Sequence, residues 1–93
     1  MTATSPEPAG LRLVYFAWVR ERIGLAEEMV APPPGTDTVA DLVLWLKSRG
    51  EGYELAFENP AIVRAAIDQT HAKPASAIAG AREIAFFPPM TGG

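Results

Sequence analysis

The residues best placed to do chemistry in this chain are its last ones. Pro88-Pro89-Met90-Thr91-Gly92-Gly93 closes the sequence, and an extended stretch of that length spans roughly 20 Å at about 3.3–3.6 Å per residue. The paired prolines offer no amide donor to a sheet ladder and keep the backbone extended, so a strand through Ile84-Ala85-Phe86-Phe87 has to stop pairing there. The two glycines carry no side chains, which leaves a backbone thin enough to enter a narrow cleft with the Gly93 carboxylate unshielded. A carboxylate at neutral pH is a poor electrophile, because its charge resists attack and its leaving group would be oxide. Such an end reacts only after activation, and the tail reads as an acyl group carried on a stiff stalk. The ordinary alternative is that chain ends fray and that terminal glycines are often linker remnants.

The remaining composition removes most other chemistries. There is no cysteine and one histidine, so disulfides, thiolate nucleophiles and cysteine-ligated metals are excluded and a metal site would lack ligands. No triad, Gly-rich phosphate loop or metal constellation is legible in the sequence. A formal net charge of −3 without a basic cluster argues against nucleic acid and anionic membrane surfaces as partners. No apolar run approaches the roughly 18 residues of a membrane span, and residues 1–10 lack the basic start and apolar core of a signal peptide, so a cytoplasmic location is expected. With 93 residues, 48% of them hydrophobic, the chain can build one core and not two.

The elements that must position the tail follow from periodicity. Residues 1–10, with Pro6 and Pro8 among small polar residues, are expected to be a disordered lead-in. Residues 11–17 alternate as a strand, with Leu11, Leu13, Tyr15 and Ala17 inward and Arg12, Val14 and Phe16 outward. A short mixed stretch ends at Gly24, and residues 25–31 form a second, antiparallel strand stopped by Pro32-Pro33-Pro34. Thr38 caps a helix with Asp41 in its first turn; Val39, Leu42, Val43 and Leu46 form its apolar stripe, Leu44 and Trp45 widen it, and Gly50 stops it. Residues 51–60 form a loop or short helical turn anchored by Tyr53, Leu55 and Phe57. Strands at 62–67 and 70–73 flank an Asp68-Gln69 turn, and residues 83–87 form the last strand after Ala79-Gly80. The order describes an α+β domain over residues 11–87, with one helix across one face of the sheet, followed by a flexible tail at 88–93.

Residues 86–93, Phe-Phe-Pro-Pro-Met-Thr-Gly-Gly, closely resemble the C-terminal signature of the molybdopterin synthase small-subunit family. Tyr15-Phe16-Ala17-Trp18-Val19-Arg20-Glu21 resembles its first strand and Val-Arg-Glu turn. Thr38-Val39-Ala40-Asp41-Leu42 is similar to its helix start, and Ala66-Ile67-Asp68-Gln69-Thr70 to its Val-Asn-Gln segment. The likeness covers about residues 11–93. It departs from the family pattern at Ala81, where an acidic residue is common, and in the extension at 1–10.

The resemblance implies a ubiquitin-like β-grasp fold, a mixed sheet in which the first and last strands lie parallel at the centre. It implies that Gly93 is adenylated with ATP by a ubiquitin-activating-like adenylyltransferase and converted, with a sulfur donor protein, to a thiocarboxylate. That sulfur would go to cyclic pyranopterin monophosphate inside the large catalytic subunit of molybdopterin synthase, in a heterotetramer. On this reading the chain is a co-substrate subunit that binds no cofactor itself. Gly92 and Gly93 are then the reacting end, and Pro88, Pro89, Met90 and Thr91 contact the partner. Val14, Phe16 and Phe87 are expected to form an exposed docking patch, unless the segment at 51–60 covers them. Arg20 either steers a carboxylate or is simply solvated, His71 is a surface strand residue, and Trp18 and Trp45 pack. A sulfur carrier for another pathway such as thiamine, a ubiquitin-like protein modifier and a non-catalytic interaction domain remain alternatives.

Overall fold

Along β1 (Leu11–Tyr15) the side chains alternate as the sequence demands: Leu11, Leu13 and Tyr15 are buried, Arg12 is exposed and Val14 half-buried. The computed structural model describes residues 10–89; the lead-in expected before Gly10 and the tail residues Met90, Thr91, Gly92 and Gly93 lie outside them. The first strand stops two residues earlier than expected. Ala17 has a left-handed backbone, φ 52°, which turns the chain off the sheet and into α1 (Ala17–Ile23), so Ala17 is exposed rather than inward. Gly24 closes that helix in the left-handed conformation, φ 91°, its N–H donating to the Arg20 carbonyl.

The expected second strand is β2 (Glu27–Val30), antiparallel to β1. Helix α2 (Val39–Lys47) starts at a full capping box: Thr38 Oγ1 accepts from the Asp41 N–H at 3.1 Å, and Asp41 Oδ2 accepts from the Thr38 and Asp37 N–H groups at 3.2 and 3.1 Å. Those donors, the Asp37 N–H first, hold the Asp41 carboxyl below its ordinary range. Val39, Leu42 and Leu46 are buried as expected, but Leu44 is 66% exposed and points away from the core. The helix ends at Ser48, not Gly50; Gly50 instead begins a further helix, α3 (Glu51–Ala56). Within that segment Phe57 is fully buried and Leu55 half exposed, because a helical turn brings Ala56 and Phe57 inward where strict alternation would have chosen Leu55.

A 3₁₀ turn (Pro60–Ile62) leads to β3 (Arg64–Ile67), β4 (Thr70–Ala72) and β5 (Glu83–Phe87). Asp68 and Gln69 both take positive φ, as a two-residue hairpin turn requires, and Asp68 Oδ1 also accepts from the Arg82 and Glu83 N–H groups at 3.0 and 2.9 Å, tying the hairpin to the start of β5. The sheet order is β2-β1-β5-β3-β4, with β1 and β5 parallel at the centre and the other pairings antiparallel. The helices pack on one face of it, over Leu13, Tyr15, Ile84 and Phe86. The Phe86 ring meets Phe57 edge-on at 5.1 Å and lies near-parallel to Tyr15 at 6.2 Å. The main helix α2 is joined in this layer by α1 and α3, which are too short to show a helical period in the sequence.

Two details carry predictions. A Cβ on Gly52 would stand 2.6 Å from the Arg22 carbonyl oxygen, so α3 reaches α1 only because that side chain is missing. Glycine to alanine inside a helix ordinarily stabilises by about 1 kcal/mol. Here Gly52→Ala should instead destabilise by about 1–3 kcal/mol through overpacking, read as a lower urea midpoint; a raised midpoint would contradict the close approach. The second detail is Glu28, whose Oε2 accepts from the Tyr15 and Tyr53 hydroxyls at 2.8 and 2.6 Å while Arg49 reaches its Oε1 at 3.3 Å. This cluster fastens β2 to β1 and α3. Burial first, then the bond to Glu28, raises both phenols, Tyr53 to about 12 and Tyr15 further. A raised phenol pKa means stability fully present below the ordinary value of 10.0 and lost as the pH climbs through the folded values. Tyrosinate absorbance should therefore stay absent at pH 10 in the folded chain and appear together with unfolding at higher pH. Tyr15 and Tyr53 are its only tyrosines, so a normal titration of either with the fold intact would contradict the cluster.

Candidate functional site

The chain reaches its tail from the best-held strand of the sheet. β5 is laddered on both sides, to β1 through Arg12↔Glu83 to Tyr15↔Phe86 and to β3 through Arg64↔Phe87 to Ile67↔Ile84. Beyond the last β1 rung the Phe16 N–H still donates to the Phe86 carbonyl at 3.1 Å. Ile84 and Phe86 are buried at 0% and 1%, so every second residue of β5 is anchored in the core while Glu83, Ala85 and Phe87 face the other way. Phe87, Pro88 and Pro89 are half-buried. An extended segment placed after Pro89 thus starts from a fixed point in the middle of the fold, not from a loose edge.

On the face of the sheet away from the helices lie Val14 and Phe87, both half-buried where an exposed patch was expected. Val14 stands beside Ala85 across the parallel ladder, Phe87 follows Ala85 by one repeat, and the Phe87 ring meets His71 edge-on at 6.1 Å. Phe16 is 48% exposed, though it caps α1 instead of extending β1. The segment at 51–60 does not cover these residues: its Ala56 and Phe57 enter the core with Phe86, on the opposite face. Sequence reasoning missed Ala66, which pairs with Ala85 and extends the apolar lane, and Met29, 64% exposed beside Arg12 on β2. The alternation of β5 would have pointed to Ala85, but the register that adds Ala66 and Met29 requires knowing the strand order.

Charges border the lane. Arg12 bonds Glu27 at 2.5 Å and approaches Glu83 at 3.8 Å, pairs exposed enough to be worth at most about 1 kcal/mol. Arg20 is exposed on α1, His71 is exposed on β4, and Trp18 and Trp45 are half-buried under the guanidinium groups of Arg22 and Arg49. Packing accounts for both tryptophans.

The geometry presents a small body with an anchored exit and a half-buried apolar lane on which no described helix packs, and the ThiS family pattern matches residues 13–93 of the chain. It belongs to the ThiS family. The family match runs through β5 and the terminal Gly92-Gly93. Among curated relatives of this ThiS-family chain, the molybdopterin synthase sulfur carrier subunit of Escherichia coli K12 is 34% identical over 84 residues, 89% of this chain and 99% of that protein. The protein of the same name from Haemophilus influenzae is 35% identical over 83 residues, again 89% and 99%. Among solved structures, SAMP1 from Haloferax volcanii superimposes with a TM-score of 0.66 at 25% identity, covering 90% of this chain and 99% of that one. The shared architecture is the ubiquitin-like β-grasp. Among the described residues no helix is long and apolar enough to cross a membrane.

Proposed function

We propose that this chain is the sulfur carrier subunit of a molybdopterin synthase, and that Gly93 is its reacting residue. The observation that carries the reading is the 34–35% identity, over 89% of this chain, to two molybdopterin synthase sulfur carrier subunits, with the family match continuing through the diglycine. An adenylyltransferase joins the Gly93 carboxylate to AMP from ATP, releasing pyrophosphate and making a mixed anhydride. Sulfide released by a donor then attacks the acyl carbon and expels AMP, leaving a C-terminal thiocarboxylate whose sulfur is a usable nucleophile. The large subunit receives the tail and presents cyclic pyranopterin monophosphate to that sulfur. Water must cleave the acyl–sulfur bond before the carrier can leave as a carboxylate, and two deliveries make one dithiolene.

This chain contributes reach and position, and its partners contribute the catalysts. Pro88 and Pro89 begin the stalk, Met90 and Thr91 are the tail residues that contact the large subunit, and Gly92 and Gly93 are the reacting end delivered to it. Val14, Phe16 and Phe87 supply the docking face for the large subunit.

Reconstitution tests the pathway. The thiocarboxylated chain should convert cyclic pyranopterin monophosphate to molybdopterin with a molybdopterin synthase large subunit, and should not feed a thiazole-forming enzyme. Sulfur transfer to the thiazole precursor alone would assign the chain to thiamine synthesis. A diglycine remnant on cellular lysines without any thiocarboxylate would make it a protein modifier.

A further inference from the structure

On the helix side of the sheet, away from Val14 and Phe87, lies a groove that the tail chemistry does not use. Its deep part is a cavity of about 260 Å³ beside α2, floored by Phe57, Phe86 and Ala65, each at most 5% exposed. It runs on into a second hollow of about 320 Å³, where the chain enters β3 and where, after β4, it meets α2, the Ala40 N–H donating to the Pro74 carbonyl at 2.9 Å. Leu44, which the core leaves 66% exposed, stands on the wall of the deep part.

The charge around this groove runs against that of the whole chain. The protein has 11 acidic residues and a net charge of −3, yet among the described residues no carboxylate lines either hollow, whereas Lys47 and Lys73 do. Among the described residues neither lysine is ion-paired, although Lys47 also borders a separate hollow lined by Glu51, Glu54 and Glu58. An apolar trough with a lysine at each end and no carboxylate in its described lining is complementary to an apolar segment flanked by carboxylates. The deep part is smaller than the roughly 300–1,000 Å³ of pockets that enclose a whole small molecule, and suits one or two large side chains. β4 is also the outer strand of the sheet, so its free backbone edge is open to an added extended segment.

We propose that this groove docks an extended apolar–acidic peptide segment of a second protein, with its apolar side chains over Phe57 and Phe86 and its carboxylates against Lys47 and Lys73. Because Phe57 and Phe86 lie on the opposite side of the sheet from Val14 and Phe87, the segment can bind in the deep part while the tail is engaged elsewhere. The inference rests on the groove alone and stands whatever pathway the tail serves.

The test is amide chemical-shift mapping on the full chain with a short peptide whose Leu-Val-Phe core is flanked by glutamates, and with the same core flanked by lysines. The glutamate peptide should shift Val43, Val63, Ala65 and Lys73 and leave Val14 and Phe87 unmoved. Its binding should weaken at least about tenfold in the double variant Lys47→Glu/Lys73→Glu, with the melting profile checking that the variant is folded. Ala40→Phe, which fills the mouth from an exposed helix position, should compete with the peptide without altering the tail. No shift in the groove, equal binding of the lysine peptide, or shifts confined to the Val14–Phe87 face would overturn the proposal. So would the same shifts on raising protein concentration alone, which would assign the groove to a second copy, or with decanoate and not the peptide, which would assign it to a small amphipathic acid.

Discussion

Adding one residue beyond Gly93, or removing Gly93, is expected to abolish sulfur transfer while leaving the fold and its stability unchanged. The two changes act on the same atoms for different reasons. An added residue moves the carboxylate about 3.3–3.6 Å past the place where activation occurs and puts a side chain where only glycine backbone is expected to pass. Deletion draws the acyl carbon back by the same distance, and misplacement of a reacting group by even 1 Å can cost about a hundredfold in rate. A shift more than three times as large should leave nothing measurable in a molybdopterin-forming assay. The core ends at Phe86, buried at 1%, so neither change touches packing and the thermal midpoint should not move. A capped variant that restores molybdenum-enzyme activity without being trimmed would remove the reading altogether.

The second large effect is expected at the open sheet face. Phe87→Asp places a charge in the middle of the apolar lane formed with Val14 and Ala85. If that lane meets the large subunit, the aspartate is buried unpaired on association, and a central aromatic anchor is lost as well. Truncating such an anchor typically costs about 2–4 kcal/mol, a weakening of roughly thirtyfold or more. The folded carrier should tolerate the change better, because Phe87 is only half-buried and its one aromatic neighbour is the exposed His71; a loss of about 1 kcal/mol is in line with a strand substitution. Calorimetric titration against the large subunit, beside a thermal melt of the free variant, separates the two quantities. Unchanged affinity would take the docking role away from this face.

What could be seen in the chain before its structure depended on whether a signal was local. The capping box at Thr38 and Asp41, the alternation of β1 and β5 and the Asp68-Gln69 hairpin each need only a few adjacent residues, and all three are present. The parallel pairing of β1 with β5 came from resemblance, because no local pattern encodes which strands are neighbours. Misreadings arose where tertiary packing overrode a local cue. Gly50 has the residue type of a helix stop but opens α3, and Gly52 sits inside that helix because the Arg22 carbonyl leaves no space for a side chain. Tyr53, Leu55 and Phe57 share a strand-like spacing, yet helical rotation buries Phe57 and exposes Leu55. Leu44 fits an apolar helix stripe by composition and lines a surface groove instead. The stop to pairing at Pro88-Pro89 was legible from residue type, and β5 does end at Phe87; the role of Gly93 came from the resemblance, because a bare diglycine by itself does not distinguish a reacting end from a linker remnant.

The central claim is that the working part of this protein is its terminal acyl group. Intact mass spectrometry of the chain after incubation with ATP, a sulfide source and a ubiquitin-activating-like adenylyltransferase tests it most directly. The account predicts the mass change of a single oxygen replaced by sulfur, located by fragmentation to the Gly93 carboxylate and absent when ATP is withheld. An unmodified Gly93 under conditions that convert the Escherichia coli relative, or sulfur found on any other residue, would contradict it.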